Sequence, residues 1–142
     1  MSDIVDMRAR ASAPPKVVIC FAKLGLIKWS LKYRGLASTV ALCVTPRRGA
    51  VRTISTINDE VVQTIVHRIA IAAALYPGRA RCLEQSLVLL AELRHRGVPA
   101  ELRLGVKPYR FQSHAWIEVG GLVVNDSTER IKAYAVLPPI TV

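Results

Sequence analysis

Residues 77–106, PGRARCLEQSLVLLAELRHRGVPAELRLGV, carry the decision about the fold. Pro77-Gly78 ends whatever helix precedes it. From Cys82 onward, Leu83, Leu87, Leu90 and Leu93 recur at three- and four-residue spacing, which predicts a helix. That helix stops at Gly97, where a left-handed cap costs little, and Pro99 prevents its continuation. Ala100, Leu102, Leu104 and Val106 then alternate with Glu101, Arg103 and Gly105, the pattern of a half-buried strand.

Working outward, "DEVVQTIVHRIAIAAALY" (59–76) follows the capping candidates Thr56 and Asn58, with Asp59 and Glu60 suited to a helix N-terminus. Val61, Ile65, Ile69, Ala72 and Tyr76 form its expected apolar stripe. Upstream, "TPRRGAVRTIST" reads as a linker and residues 1–16 as a loose tail. Between them, 17–45 reads as two short basic helices, one after Pro14-Pro15 and one near 36–44. Lys23, Lys28, Lys32 and Arg34 interrupt this apolar stretch, leaving no run of about 18 uncharged residues that would span a bilayer. Downstream, "KPYRFQ" is a loop, "SHAWIEVGGLVVND" (113–126) a hairpin, and "ERIKAYAVLPPITV" one more short strand or an extended tail. Helices followed by an antiparallel sheet of at least three strands is the α+β pattern. The expected division is a basic N-terminal segment, 1–52, before a core of residues 53–142.

The 142 residues allow one core of useful size. Residues 1–52 hold ten of the 20 Lys/Arg against two of the ten Asp/Glu, so they carry +8 of the net +10. Such a segment attracts acidic partners or an anionic membrane surface. No nucleic-acid recognition motif accompanies it, and nucleic acid is not an expected partner. Three cysteines without repeating spacing, and no secretory signal before them, argue for a reducing cytoplasm and against a disulfide scaffold. Neither C-x-x-C spacing nor a glycine fingerprint between strand and helix is present, so no metal or cofactor is expected.

Cys82 stands out chemically. It opens a helix after a Pro-Gly break, between Arg79-Arg81 and Leu83, where unpaired amides, the helix dipole and two cations all favour negative charge on sulfur. Cys20 and Cys43, inside apolar runs, are expected to be core residues. A nucleophile needs a base and a group that orients the base. His114 and Asp126, at the two ends of the hairpin, are the candidates if they share a face. A two-residue turn at Gly120-Gly121 sets His114 opposite Ser127, with Asp126 on the other face. A three-residue loop, Val119-Gly120-Gly121, sets His114 opposite Asp126, and is the expected register. His67 and His95 are expected to be structural or solvated. Trp116 and Glu118 share the face of His114, the first as packing and the second as a solvated carboxylate near the turn.

The Pro-Gly before the cysteine, the Cys-Leu helix start, the Arg-x-Arg-Gly-x-Pro-Ala ending, the His-Ala-Trp-x-Glu strand and the Val-Asn-Asp ending occur here in order, between about Tyr76 and Asp126. In these features the chain is similar to the transglutaminase-like, papain-like cysteine protease core. More narrowly, it resembles the stand-alone leader peptidases of lasso-peptide biosynthesis, the peptidase half of a split B protein. The resemblance implies an α+β core with the nucleophile at a helix N-terminus packed on an antiparallel sheet, preceded by N-terminal helices. It also implies Cys82 as nucleophile, His114 as general acid/base and Asp126 as the residue orienting the imidazole. The activity implied is removal of the leader from a ribosomally made precursor, commonly after a leader whose penultimate residue is threonine. A separate cyclase then closes the macrolactam, and a small leader-binding protein serves as partner. Two alternatives remain on sequence alone: a transglutaminase-type acyltransferase using the same thioester, or a non-catalytic basic binding protein.

Overall fold

The computed structural model describes residues 14–44 and 60–140, with side chains described from Lys16 onward. The expected linker at 45–56, the capping candidates Thr56 and Asn58 with Asp59, and the tail before Pro14 lie outside the described residues. Helix α1 spans Pro14–Val44 but breaks at Gly35 (φ 80°, ψ 175°), so the two basic helices expected from sequence are present and abut at this glycine. Across the break Thr39 Oγ1 donates to Gly35 O at 2.8 Å, which commits its hydrogen. Ser30 Oγ, 2.8 Å from Thr39 Oγ1, is therefore the donor of that pair. Both side chains are buried, and the bonds fasten the corner between the two halves.

Helix α2, Glu60–Leu75, buries Val62, Ile65, Ile69 and Ala72. Val61, expected in the stripe, is 45% exposed. Both valines stand at helical spacing from Ile65, and the directions from which α1 and α3 approach select Val62. Helix α3, Cys82–His95, is the central element: Leu87, Val88, Leu89 and Leu90 are consecutive and all at most 1% exposed. An amphipathic stripe became an almost wholly buried helix because α1 and α2 cover one side of α3 and the sheet covers the other. Its C-terminus forms the expected cap. Gly97 takes φ 77°, Gly97 N donates to Arg94 O and Val98 N donates to Leu93 O, both at 3.0 Å.

Four antiparallel strands follow, in spatial order β3-β2-β1-β4: β1 Ala100–Lys107, β2 Gln112–Val119, β3 Leu122–Val123 and β4 Ala135–Val136. A one-turn helix, α4 (Thr128–Ile131), precedes β4 and was not anticipated; Ser127 caps it by accepting from Arg130 N at 3.3 Å. In β1 and β2, Ala100, Ala115, Ile117 and Val119 are buried, and Ile117, Val119 and Ala100 join the cluster formed by α3. The N-terminal helices contribute Cys20, Leu24, Val40 and Cys43 to this same cluster. Glu92, buried on α3, is an ion-pair partner of both Lys23 of α1 and Arg96, so the basic helix is also tied to the centre by charge. On the outer side of α1, Leu26, Trp29 and Tyr33 are more than half exposed. No helix among the described residues is long and apolar enough to cross a membrane.

Candidate active site

Cys82 is the first residue of α3, and it is partly buried. Arg81 occupies the cap position without a side-chain capping bond, and the first intrahelical bond is Gln85 N to Arg81 O at 3.1 Å. The amides of the first turn are thus left for whatever occupies the space in front of the helix. The preceding loop is held from three sides. Gly78 takes φ 101°, Gln85 Nε2 donates to Ala80 O at 2.8 Å, and Lys28 Nζ of α1 donates to Arg79 O at 2.8 Å while lying over the Tyr76 ring at 5.0 Å. Lys23 and Lys28, two of the cations of the basic segment, therefore fasten α1 to α3 and to the loop before Cys82.

The hairpin corrects the sequence expectation. Val119 pairs with Leu122 and Glu118 with Val123, so the connection is the two-residue turn Gly120-Gly121, not the three-residue loop. Both glycines have positive φ, 59° and 79°, the condition of a primed turn whose twist matches that of the flanking strands. Continued regularly, this register would set His114 opposite Ser127. Instead His114 Nε2 is hydrogen-bonded to Asp126 Oδ2, because the ladder ends after Val123 and the chain bends through 124–126. The pair meets through the end of the strand, not through cross-strand registry.

Asn125 makes that ending stable. Val124 N still donates to Ile117 O at 3.0 Å, but Ile117 N donates to the side-chain Oδ1 of Asn125 at 2.8 Å. Asn125 Nδ2 donates to Ser86 Oγ at 3.1 Å, and Ser86 Oγ donates to Ala115 O at 3.1 Å. Ser86 is wholly buried, one turn after Cys82 on α3. One polar chain thereby joins the helix that Cys82 opens, the strand of His114 and the residue before Asp126. Asp126 Oδ1 accepts from Ser127 N at 2.7 Å, fixing the carboxylate from its other side.

Behind the imidazole lies an aromatic stack. The His114 ring is 6.0 Å from that of Trp116 and 5.2 Å from that of Tyr134, and Lys107 lies 4.8 Å from the Tyr134 centroid. Trp116 is fully buried, as packing requires. Gly105, paired with His114, makes room for it: a Cβ there would meet Tyr134 Cβ at 2.8 Å and the Trp116 ring at 2.9 Å. Glu118, expected to be solvated, is only 19% exposed; it accepts from Trp116 Nε1 at 3.0 Å and from Arg103 Nε at 3.2 Å. Trp116 needed a partner for its buried N–H, and Glu118 stands two residues away on the same face.

Cys82, His114 and Asp126 line one cleft of about 860 Å³. Cys20 and Cys43 are buried in the core, as expected, and burial raises both thiols, Cys43 to about 11. Desolvation is the larger cause for Cys20, opposed by Lys23, Arg68 and Arg96. His67 and His95 are exposed on their helices. Among the described residues no group of three His, Cys, Asp or Glu could hold a metal ion. Sequence reading missed Asn125, Ser86, Tyr134 and Gly105. The available signal for Asn125 was an amide residue standing where the apolar run of 122–124 stops, within the Val-Asn-Asp ending.

The transglutaminase-like superfamily model matches residues 22–138. The microcin J25-processing protein McjB of Escherichia coli is 28% identical over 113 residues, 79% of this chain and 52% of its own length. The chain thus spans about half the length of the curated relative it matches. No solved structure matches.

Proposed function

Because the chain belongs to the transglutaminase-like superfamily, we propose that it is a cysteine peptidase with a Cys82-His114-Asp126 triad, which removes the leader from a ribosomally made lasso-peptide precursor. The observation that carries the reading is the imidazole of His114, bonded through Nε2 to the Asp126 carboxylate in the cleft that Cys82 also lines. A carboxylate accepts, so Nε2 carries the hydrogen and Nδ1 keeps a lone pair. In the proposed mechanism Nδ1 takes the Cys82 proton as sulfur attacks the scissile carbonyl, and then gives it to the leaving amine, releasing one half of the peptide. Water, deprotonated by the same nitrogen, hydrolyses the thioester and regenerates the thiol. The Cys82 amide, in the unpaired first turn of α3, is suited to stabilise the oxyanion.

Similarity to a protein named for processing microcin J25 agrees with precursor maturation as the task. The proposed partners are the precursor peptide, a small leader-binding protein and a separate cyclase. The test is mass spectrometry of a full-length precursor incubated with the chain and its leader-binding partner. Wild type, Cys20→Ser and Cys43→Ser are expected to release the leader with a free carboxylate, and Cys82→Ala to be slower by several orders of magnitude. Robust release by Cys82→Ala ends the reading. A leader that instead appears joined to an added amine shows acyl transfer from the same thioester.

A further inference from the structure

The cleft is charged asymmetrically. Arg79 and Arg81 line it from the loop before Cys82, and Arg130 lines it from α4, on the side that carries Asp126 and Tyr134. Asp126 is the one carboxylate among its described lining residues, and it is committed to His114 and to the Ser127 amide. None of the three guanidinium groups has an ion-pair partner among the described residues, whereas Arg96 and Arg103 are paired with glutamates. The aliphatic lining is slight, limited to Ala80, Leu83 and Ala115. With three arginines and one committed carboxylate in the lining, charge is a feature by which such a cleft can discriminate between peptides.

Resting on the peptidase reading above, we infer that this cleft selects a peptide carrying an Asp or Glu side chain within about two residues of the scissile bond, held by Arg81 and Arg130 with Arg79 in support. An extended chain rises about 3.3 Å per residue, so a side chain within two residues of the bond lies within about 7 Å of it along the chain, and all three arginines line the same cleft as Cys82. The guanidinium fork matches a carboxylate in two parallel hydrogen bonds, which gives position as well as attraction. A lysine at the same place meets three like charges and no free carboxylate.

Binding tests this independently of turnover. Rhodamine-labelled nine-residue peptides of Gly, Ala and Thr, with Glu, Gln or Lys at each of the five central positions, are titrated by anisotropy into the Cys82→Ala protein. At one position or more, Glu is expected to bind about tenfold more tightly than Gln at low salt, and Lys more weakly than either. High salt should shrink the difference. Arg81→Gln combined with Arg130→Gln should abolish the preference, and both side chains are exposed, so the fold is not at stake. Arg34→Gln, outside the cleft lining, should leave it unchanged. Equal affinity for Glu and Gln peptides at every position overturns the inference, as does an equal loss in Arg34→Gln, which would assign the preference to net charge. Charge-selective binding together with intact precursor in the maturation assay would retain the cleft's preference for an acidic peptide and remove the peptidase reading, and with it the placement relative to a scissile bond.

Discussion

Asn125 stands in for a strand residue opposite Ile117: its side-chain oxygen, not a backbone carbonyl, takes the Ile117 amide hydrogen at 2.8 Å. The backbone is thereby free to leave the ladder, and the next residue, Asp126, reaches His114. The nitrogen of the same amide bonds Ser86 on the helix that begins with Cys82. A single side chain therefore couples termination of the sheet to the relative placement of the three proposed triad residues.

Asn125→Ala should accordingly cost both stability and rate. Two hydrogen bonds to part-buried groups are lost, at about 1–3 kcal/mol for each partner left unsatisfied. Thermal melts should fall by several degrees. In the leader-release assay kcat should drop while KM holds, because Asn125 acts through Asp126. Asn125→Asp, which keeps the acceptor for Ile117 but removes the donor to Ser86, should fall between the two. An altered melt with unchanged kcat would limit Asn125 to a role in folding.

Removing the carboxylate itself, in Asp126→Ala, should lower kcat by about 100-fold or more, since the imidazole loses both its orientation and the partner of its imidazolium form. Circular dichroism should stay near wild type, because Asp126 lies in a bend at the cleft and outside the apolar cluster.

Gly105→Ala probes the packing behind His114. The added methyl would sit 2.8–2.9 Å from Tyr134 Cβ and the Trp116 ring, and overpacking of this kind costs about 1–3 kcal/mol. Loss of melting temperature, a shift in tryptophan emission and reduced turnover are expected together. Combining it with Trp116→Phe, which removes the ring atoms in closest contact, should recover part of the loss, and a double-mutant cycle measures how much.

The three thiols should separate by reactivity. In the folded protein iodoacetamide is expected to modify Cys82 alone, and unfolding should expose Cys20 and Cys43. Cys43 also predicts a pH dependence of stability. Its thiol holds its proton up to about 11 in the native state, against the ordinary 9.0, so between these values the folded chain binds more protons than the unfolded one. Stability should fall as pH rises through that window, and Cys43→Ala should flatten the fall.

Lys28→Gln should loosen the loop that carries Arg79 and Arg81, because it removes the bond to Arg79 O and the contact with the Tyr76 ring. Limited digestion with trypsin reads this directly: cleavage after Arg79 and Arg81 should accelerate in Lys28→Gln and not in Lys32→Gln, whose side chain lies over Tyr33.

Local rules were sufficient for much of the chain. The start of α3 at Cys82, its cap at Gly97, the break in α1 and the order of helices before strands all follow from residues close together in sequence, through periodicity and glycine or proline chemistry. Cys82 was legible as a candidate because it opens a helix marked by its own neighbours, and His114 and Asp126 because they stand at the two ends of one hairpin sequence. How His114 meets Asp126 was not legible. Counting residues along a hairpin assumes that the ladder continues, and the Gly120-Gly121 turn chose the register in which a continued ladder would have kept the two apart. Only in three dimensions does Ile117 find a side-chain acceptor in Asn125, Ser86 receive the other end of that amide, and Trp116 and Tyr134 close over Gly105. Those contacts join α3, the sheet and the segment after it, across 39 residues between Ser86 and Asn125. No local pattern encodes them, because each depends on where a distant element comes to rest.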